Sequence, residues 1–306
     1  MKPVAIIGAG NSGLAMSAHL SLNKHHVHLW NRSYETIKSL KRNRIIYCDG
    51  IIKGKAHIDV VTTDIAEALN NVETILITTP ANSHKEIAQR LLPHLRNDML
   101  IVLNPGRTFG AIEFSSTLFQ AGCNLALNIA ETQTIIYTCR KTGPQSVKIV
   151  AIKSDVLIAS LKSGLNPLII KFLPKAIQKH FIPSESMIQT SIGNVGMILH
   201  CAPTILNTGW IENPRKAFKY YYEGITPSVA QFIEKLDKER IAVSNIFEKP
   251  VESTSEWLKR SYGVKGRNLY ECIQNNEAYR TIDAPNSMQH RYIYEDIPYG
   301  LVPIEA

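Results

Sequence analysis

The sequence has 306 residues, of which 44% are hydrophobic and 20% are charged, a composition that is ordinary for a globular protein and excludes a disordered or fibrous chain. Its 34 basic and 26 acidic residues give a net charge of +8. The sequence has no basic patch interleaved with aromatic residues, as a nucleic-acid binder would have, so the positive charge is better explained by an anionic substrate or cofactor. No apolar run approaches the ~18 residues of a membrane-spanning helix, and the cysteines lack the C-x-x-C spacing of a zinc site, so we expect neither a membrane span nor a bound metal.

The first half of the chain alternates predicted strands with predicted helices. Apolar runs at residues 4–7, 27–30, 74–78 and 99–103 have the length and composition of buried strands, and helical patterns lie between them. Strands separated by helices of this length predict a doubly wound parallel sheet of the Rossmann type. The first strand begins almost at once and leaves no room for a signal peptide, which favours a cytoplasmic protein.

The pattern changes after residue 124. Three short β-rich runs at residues 125–129, 134–139 and 147–152 predict a meander that extends the sheet. Beyond it Ser184 is placed to cap a long helix from Glu185 to His200, and helices are predicted at residues 227–247, 253–262 and 268–279. The sequence therefore predicts an α/β domain over residues 1–183, which binds a dinucleotide, and an all-helical domain over residues 184–306 that carries the substrate and catalytic groups.

A glycine-rich turn follows the first strand and opens the first helix. Its residues are Gly8, Gly10, Asn11, Ser12 and Gly13, with Ala9 between the first two glycines. In a G-x-G-x-x-G turn the first glycine permits a tight turn, the second lets the backbone approach a pyrophosphate, and the third allows the helix to pack closely on the sheet. The free N–H groups and the dipole of the helix N-terminus favour the anion. We therefore predict a binding site for a nicotinamide dinucleotide at this turn.

The end of the second strand indicates which dinucleotide is preferred. Enzymes that bind NAD commonly carry an acidic residue there, which accepts a hydrogen bond from the ribose 2′-hydroxyl. This chain has Asn31, Arg32 and Ser33 instead, with no acidic residue to repel a 2′-phosphate, so we expect NADP(H) to be preferred and NAD(H) to be possible. Pro80 follows the third of these parallel strands and is a further candidate for the cofactor-lining edge.

The second half supplies the catalytic candidates. His200 lies in the run NVGMILHCAPTILN (residues 194–207), and the chain ends in HRYIYEDIPYGLVP (residues 290–303). With the opening GAGNSG, LNPGRTFGA (residues 103–111) and AETQT (residues 130–134), these segments resemble the opine dehydrogenases, the octopine and nopaline dehydrogenase family, over nearly the whole chain. The C-terminal motif is the most specific part of the resemblance. Cys201 stands where many relatives are expected to have proline.

The resemblance implies an NAD(P)-dependent reductive condensation of an α-keto acid with the amino group of an amino acid, through an imine that is reduced by hydride. It assigns His200 as the general acid and base, Asp296 as its partner and Arg291 as the group that binds substrate. The residue types fit, since a histidine moves protons in both directions near neutral pH and an arginine binds a carboxylate through two parallel hydrogen bonds. A homodimer is a further expectation. We assign the tyrosines at residues 220–222 to packing.

Two alternatives remain from the sequence alone. The first is a reductase of the same two-domain plan that acts on a 2-keto or 3-hydroxy acid, such as a ketopantoate reductase-like enzyme. That resemblance would require a catalytic lysine on the first helix of the second domain, but no lysine lies between Lys179 and Lys216. The second is a dinucleotide-binding regulator without enzymatic activity, in which His200, Arg291 and Asp296 would have no catalytic function.

Overall fold

The computed structural model describes residues 2–213 and 215–306, which divide into two compact units. The first unit ends at Met187 and the second begins at Ile188. The first contains twelve strands: β1 (Val4–Ile7), β2 (Val27–Trp30), β3 (Ile45–Gly50), β4 (Gly54–His57), β5 (Val60–Thr62), β6 (Thr74–Ile77), β7 (Leu100–Leu103), β8 (Asn128–Thr132), β9 (Tyr137–Gly143), β10 (Ser146–Ile152), β11 (Val156–Ser160) and β12 (Phe181–Pro183). Its helices are α1 (Asn11–Leu22), α2 (Tyr34–Asn43), α3 (Ile65–Ala68), α4 (His84–Leu91), α5 (Gly110–Gln120), α6 (Asn166–Phe172) and α7 (Lys175–Gln178).

The main sheet of the first unit has eight strands in the order β12-β11-β8-β7-β6-β1-β2-β5. All neighbouring pairs are parallel except β11 with β8. Every residue of β1, β2 and β7 is buried, as expected for strands that are covered on both faces of the sheet. The doubly wound parallel sheet predicted from the sequence is confirmed.

A second sheet of four strands was not anticipated. Its order is β4-β3-β10-β9, so β10 pairs with β3 from far earlier in the chain and β9 pairs with β10, instead of either strand extending the main sheet. The predicted meander is therefore wrong for two of its three strands, and only β8 joins the main sheet, beside β7. The first β-rich run was also placed a few residues too early. Pairing of β10 with β3 buries Val147 and Ile149 against α1, which local alternation alone cannot indicate.

The second unit contains helices around their own apolar core. They are α8, which begins at the preceding residue (Met187–Ile192), α9 (Val195–Leu206), α10 (Thr208–Ile211), α11 (Pro227–Ile246), α12 (Thr254–Tyr262), α13 (Leu269–Gln274), α14 (Arg291–Tyr294) and α15 (Val302–Glu305), with a π-helical turn at Ile297–Leu301. A capping box starts α12, because the Ser253 and Glu256 side chains each accept a hydrogen bond from the other residue's backbone N–H. In the part of this unit that the structure describes, pairing of extended backbone is limited to one bridge between Lys219 and Asp283. No helix among the described residues is long and apolar enough to cross a membrane.

The prediction of one long helix from Glu185 to His200 is wrong. The helix is interrupted at Gly193 and Asn194. The Asn194 side chain accepts a hydrogen bond from the Gly196 N–H and so caps α9 as a separate helix. His200 consequently lies in the middle of α9, and the expectation that it sits at a helix C-terminus is also wrong.

A buried histidine links α1 to the second sheet and makes the fold sensitive to acid. His19 Nδ1 lies 2.9 Å from the Tyr137 hydroxyl, and burial, reinforced by the charges of His180 and Lys179, lowers the pKa of His19 to about 4. An unfolded chain binds this proton near pH 6.5, so between pH 6.5 and pH 4 the unfolded state holds more protons than the folded state. Stability should therefore fall as the pH drops through this window, by at most about 3 kcal/mol from this group.

This prediction is checked by urea unfolding at several pH values. A His19→Gln variant should lose part of the decline in the unfolding midpoint between pH 6.5 and pH 4. His57→Gln, which changes an exposed histidine, is the matched control and should decline like the wild-type protein. Equal pH dependence in all three proteins would contradict the assignment.

Candidate active site

The glycine-rich turn has the geometry of an anion-binding site. Gly8 has a φ of +111°, which favours glycine, and its N–H donates to the carbonyl oxygen of Trp30 over 2.8 Å. A Cβ on Gly13 would lie 1.8 Å from the carbonyl oxygen of Gly8, so only glycine allows α1 to approach β1 this closely. A Cβ on Gly10 would meet nothing within 4 Å, which leaves space above the turn. The first turn of α1 carries no acidic residue and its N-cap has no side-chain bond, so the turn fits a pyrophosphate.

Two asparagines hold this turn in place. The Asn31 Oδ1 accepts a hydrogen bond from the Ala9 N–H over 3.0 Å, while its Nδ2 donates to the Ser33 carbonyl over 3.0 Å. The Asn11 Oδ1 accepts from the Lys141 N–H of β9 over 2.8 Å. Both side chains therefore fix the backbone around the turn. Ser12 is the second residue of α1, and Pro80 precedes a single 3₁₀ turn at the carboxyl end of β6.

An acidic residue from a later helix contacts the segment that follows β2. Arg32 Nη1 donates to the Glu86 carboxylate on α4, and Arg90 Nε donates to the same carboxylate over 2.8 Å. Residues 31–33 contain no acidic residue, and this carboxylate comes from α4, the helix after β6. The hydrogen bond from Arg90, together with the charges of both arginines, keeps the pKa of Glu86 below its ordinary value. Glu86 is ionised near neutral pH.

The second unit brings two of its three predicted site residues into contact. His200 Nδ1 lies 2.8 Å from Oδ2 of Asp296, whose side chain is fully buried, while that of His200 is 17% exposed. Because an ionised carboxylate can only accept, the neutral imidazole carries its proton on Nδ1 and leaves a lone pair on Nε2. The Asp296 carboxylate lies at the start of the π-helical turn, 96 positions away along the chain.

Arg291 forms an ion pair with a glutamate one helical turn away. Its Nε donates to Oε2 of Glu295 over 2.9 Å, and Glu295 is buried whereas the Arg291 side chain is 44% exposed. The two residues are four apart, which places them on one face of the same turn. The guanidinium is therefore held through Nε, and its two Nη groups carry the other four N–H donors.

The tyrosines at residues 220–222 pack in the apolar core of the second unit, and two of them also form hydrogen bonds with His200. The Tyr221 hydroxyl lies 3.1 Å from His200 Nε2, and burial raises the pKa of Tyr221 well above its ordinary value, so the hydroxyl keeps its proton and donates to the lone pair. The Tyr220 hydroxyl donates to the His200 carbonyl oxygen over 2.7 Å. Asp296, His200 and Tyr221 thus form one buried hydrogen-bonded line.

Tyr292 completes the surroundings of the imidazole. Its ring stacks on that of His200 with centroids 3.9 Å apart and planes 16° apart. The Cys201 thiol, at the position where proline was expected, donates to the Tyr292 carbonyl oxygen over 3.5 Å. The departure from the expected motif therefore adds a contact between α9 and α14 next to the histidine.

The same unit matches a family model described as the NAD/NADP octopine/nopaline dehydrogenase, alpha-helical domain, over residues 183–306. Residues 3–107 match the N-terminus of NAD-dependent glycerol-3-phosphate dehydrogenase. An opine dehydrogenase of Arthrobacter sp. (strain 1C) is 37% identical over 304 residues, which are 99% of this chain and 84% of the relative. The chain belongs to the opine dehydrogenase family. It is an oxidoreductase of that type, with a fold that binds NAD(P).

More distant relatives of the family agree with this assignment. A vitopine synthase of Allorhizobium ampelinum is 22% identical, with 99% of this chain and 84% of the relative covered. A solved structure of octopine dehydrogenase in complex with NADH and agmatine has a TM-score of 0.76 at 18% identity and covers 99% of this chain and 83% of the other. The NADP⁺-bound yersinopine dehydrogenase has a TM-score of 0.72 at 14% identity, with 93% and 79% covered. At these identities the structures show the shared fold.

Proposed function

We propose that the protein is an NADP(H)-dependent opine dehydrogenase that condenses an α-keto acid with the amino group of an amino acid and reduces the resulting imine. The observation that carries this proposal is the buried line of Asp296, His200 and Tyr221 in a member of this family. Solved relatives were captured with NADH and pyruvate and with NADH and L-arginine, which supports the two substrate classes. A homodimer stays a prediction.

His200 has the proton positions that the chemistry needs. Formation of the imine requires a proton for the hydroxyl that leaves the carbinolamine, and reduction is favoured when the C=N nitrogen is protonated. A protonated His200 donates from Nε2, and the buried Asp296 carboxylate stabilises the imidazolium and keeps the Nδ1 proton in place. The Tyr221 hydroxyl bonds Nε2 until that nitrogen exchanges a proton with the substrate.

Arg291 is the candidate for carboxylate binding. A guanidinium offers five N–H donors in a planar fork, and Glu295 takes the Nε–H, which leaves the outer edge for two parallel bonds to a carboxylate. Such a contact would fix the face of the keto acid or imine that receives hydride. The guanidinium is half-exposed and is held by the buried Glu295 carboxylate, which suits a residue that binds a substrate carboxylate.

The first unit would hold the dinucleotide. Gly8, Gly10, Asn11, Ser12 and Gly13 form the turn that fits its pyrophosphate. Arg32, with Asn31 and Ser33 beside it, and Pro80 lie along the carboxyl edge of the strands, where doubly wound sheets bind ligands. The dinucleotide supplies the hydride. An arginine at this edge supports a preference for NADP(H), with NAD(H) as the second cofactor.

Steady-state oxidation of NADPH and NADH tests the proposed reaction. Pyruvate, oxaloacetate and 2-oxoglutarate are each supplied alone and then with a panel of amino acids. We expect oxidation that requires both a keto acid and an amine, and a higher kcat/KM with NADPH. Oxidation by a keto acid alone would instead identify a simple keto-acid reductase, and equal rates with both cofactors would contradict the preference.

The keto-acid reductase is the second candidate because a PanE/ApbA family ketopantoate reductase shares the fold, with a TM-score of 0.60 at 17% identity. Its chemistry would need a lysine that this chain does not have between Lys179 and Lys216. A regulator without activity would leave the Asp296–His200 pair without use, and turnover of any substrate excludes it.

A further inference from the structure

Glu86 lies where the two walls of the nucleotide crevice meet. In the main sheet the chain leaves β1 toward β2 on one side, and β6 pairs on the other side of β1, so the strand order reverses at β1. In doubly wound sheets the dinucleotide binds at this reversal, outside the carboxyl ends of the strands. Arg32 follows β2 and Glu86 lies on the helix after β6, so their ion pair joins the two walls.

The two arginines on Glu86 have different freedom to move. Arg90 is one helical turn away and bonds Oε1, while Arg32 bonds Oε2 from a separate element. Both ion pairs are largely exposed, and exposed ion pairs are weak. Arg32 can therefore leave Glu86 at little cost, while Glu86 stays in place on α4 with its bond to Arg90.

We propose that Glu86 opposes the preference for NADPH and allows NADH to bind, an inference that deepens the proposed function by naming a specificity residue of the same cofactor site. A ribose with a free 2′-hydroxyl can donate a hydrogen bond to the carboxylate, which replaces the acidic residue missing after β2. A 2′-phosphate must instead draw Arg32 away and then lie beside a retained negative charge. Glu86 therefore favours NADH, and Arg32 favours NADPH.

Glu86→Gln tests this assignment because it removes the charge and keeps the size of the side chain. Dissociation constants for NADPH, NADH, 2′,5′-ADP and 5′-AMP are measured by calorimetry on the full-length protein, without keto acid or amine. We expect NADPH and 2′,5′-ADP to bind about tenfold more tightly to the variant, as removal of one like-charge contact predicts, and NADH and 5′-AMP to bind no more tightly than to the wild-type protein.

Glu113→Gln is the matched control, because Glu113 pairs with Lys85 on the neighbouring helix and the variant has the same net charge. An unchanged ratio of the NADPH and NADH affinities in Glu86→Gln would overturn the proposal. An equal change in Glu113→Gln would also overturn it, by reducing the effect to overall charge. Because binding needs no second substrate, a ratio that depends on Glu86 in a protein without opine activity would reject the proposed reaction and retain this inference.

Discussion

Replacing Asp296 with asparagine should lower kcat by about a thousandfold while the protein remains folded. The amide has nearly the same shape as the carboxylate, but its nitrogen can donate to His200 Nδ1. The imidazole proton then moves to Nε2, so the nitrogen needed to take up a proton is already occupied, and the imidazolium loses its buried counter-charge. KM should change much less, because Asp296 binds His200 and not substrate. Steady-state kinetics and the melting temperature together check this.

Asp283→Asn is the matched control for this variant. Asp283 is exposed and pairs with Lys219 at the surface of the same unit, so its replacement removes one acidic charge without touching His200. This control should retain wild-type kcat. If the Asp296→Asn enzyme keeps more than a tenth of the wild-type kcat, the proposed role of the buried carboxylate is wrong.

Gly13→Ala should abolish measurable cofactor binding and lower the melting temperature by several degrees. The added Cβ would lie 1.8 Å from the Gly8 carbonyl oxygen and 2.8 Å from the Thr78 hydroxyl, distances that force α1 away from the strand before it. A backbone shift in a packed core costs about 1–3 kcal/mol, and the same shift dismantles the turn that binds the anion. Thermal unfolding and dinucleotide titration measure the two effects separately.

Two other glycines separate binding from folding. Gly10→Ala adds a Cβ that meets no protein atom within 4 Å, so this variant should melt like the wild-type protein yet bind dinucleotide more weakly, because the methyl group enters the space above the turn. Gly164→Ala, which also adds a methyl group in open space, should change neither property. Normal dinucleotide affinity in Gly10→Ala would argue against a pyrophosphate at this turn.

Features formed by residues close together in the sequence could be predicted, and features formed by residues far apart could not. The glycine turn and the Ser253–Glu256 capping box are local, and both could be predicted because their residues are a few positions apart. The second sheet could not, because β3 finds its partner in β10 and no periodicity marks that pairing. The break before α9 could not be predicted because Asn194 lies within a run of helical pattern, and only the structure shows it as the N-cap of a separate helix.

The candidate site follows the same rule. His200 and Asp296 came from a family resemblance, and the structure places them in contact across 96 positions. Tyr221 was missed because aromatic clusters usually pack, and its hydroxyl acquires a role only when tertiary structure puts it on Nε2. Glu86 could not be identified from the residues that follow β2, because it lies on α4 and only the fold brings it to Arg32.

The bond from Asn11 to Lys141 has a consequence for how this protein folds. It joins the start of α1 to a strand 130 positions later, and pairing of β10 with β3 closes a loop of similar scale. Contacts so distant along the chain form slowly, because the entropy of closing the loop is lost before the contacts stabilise it. The glycine-rich turn is therefore braced only after β9 has reached α1, and we expect nucleotide binding to develop late in folding although the residues of the turn are close together in the sequence.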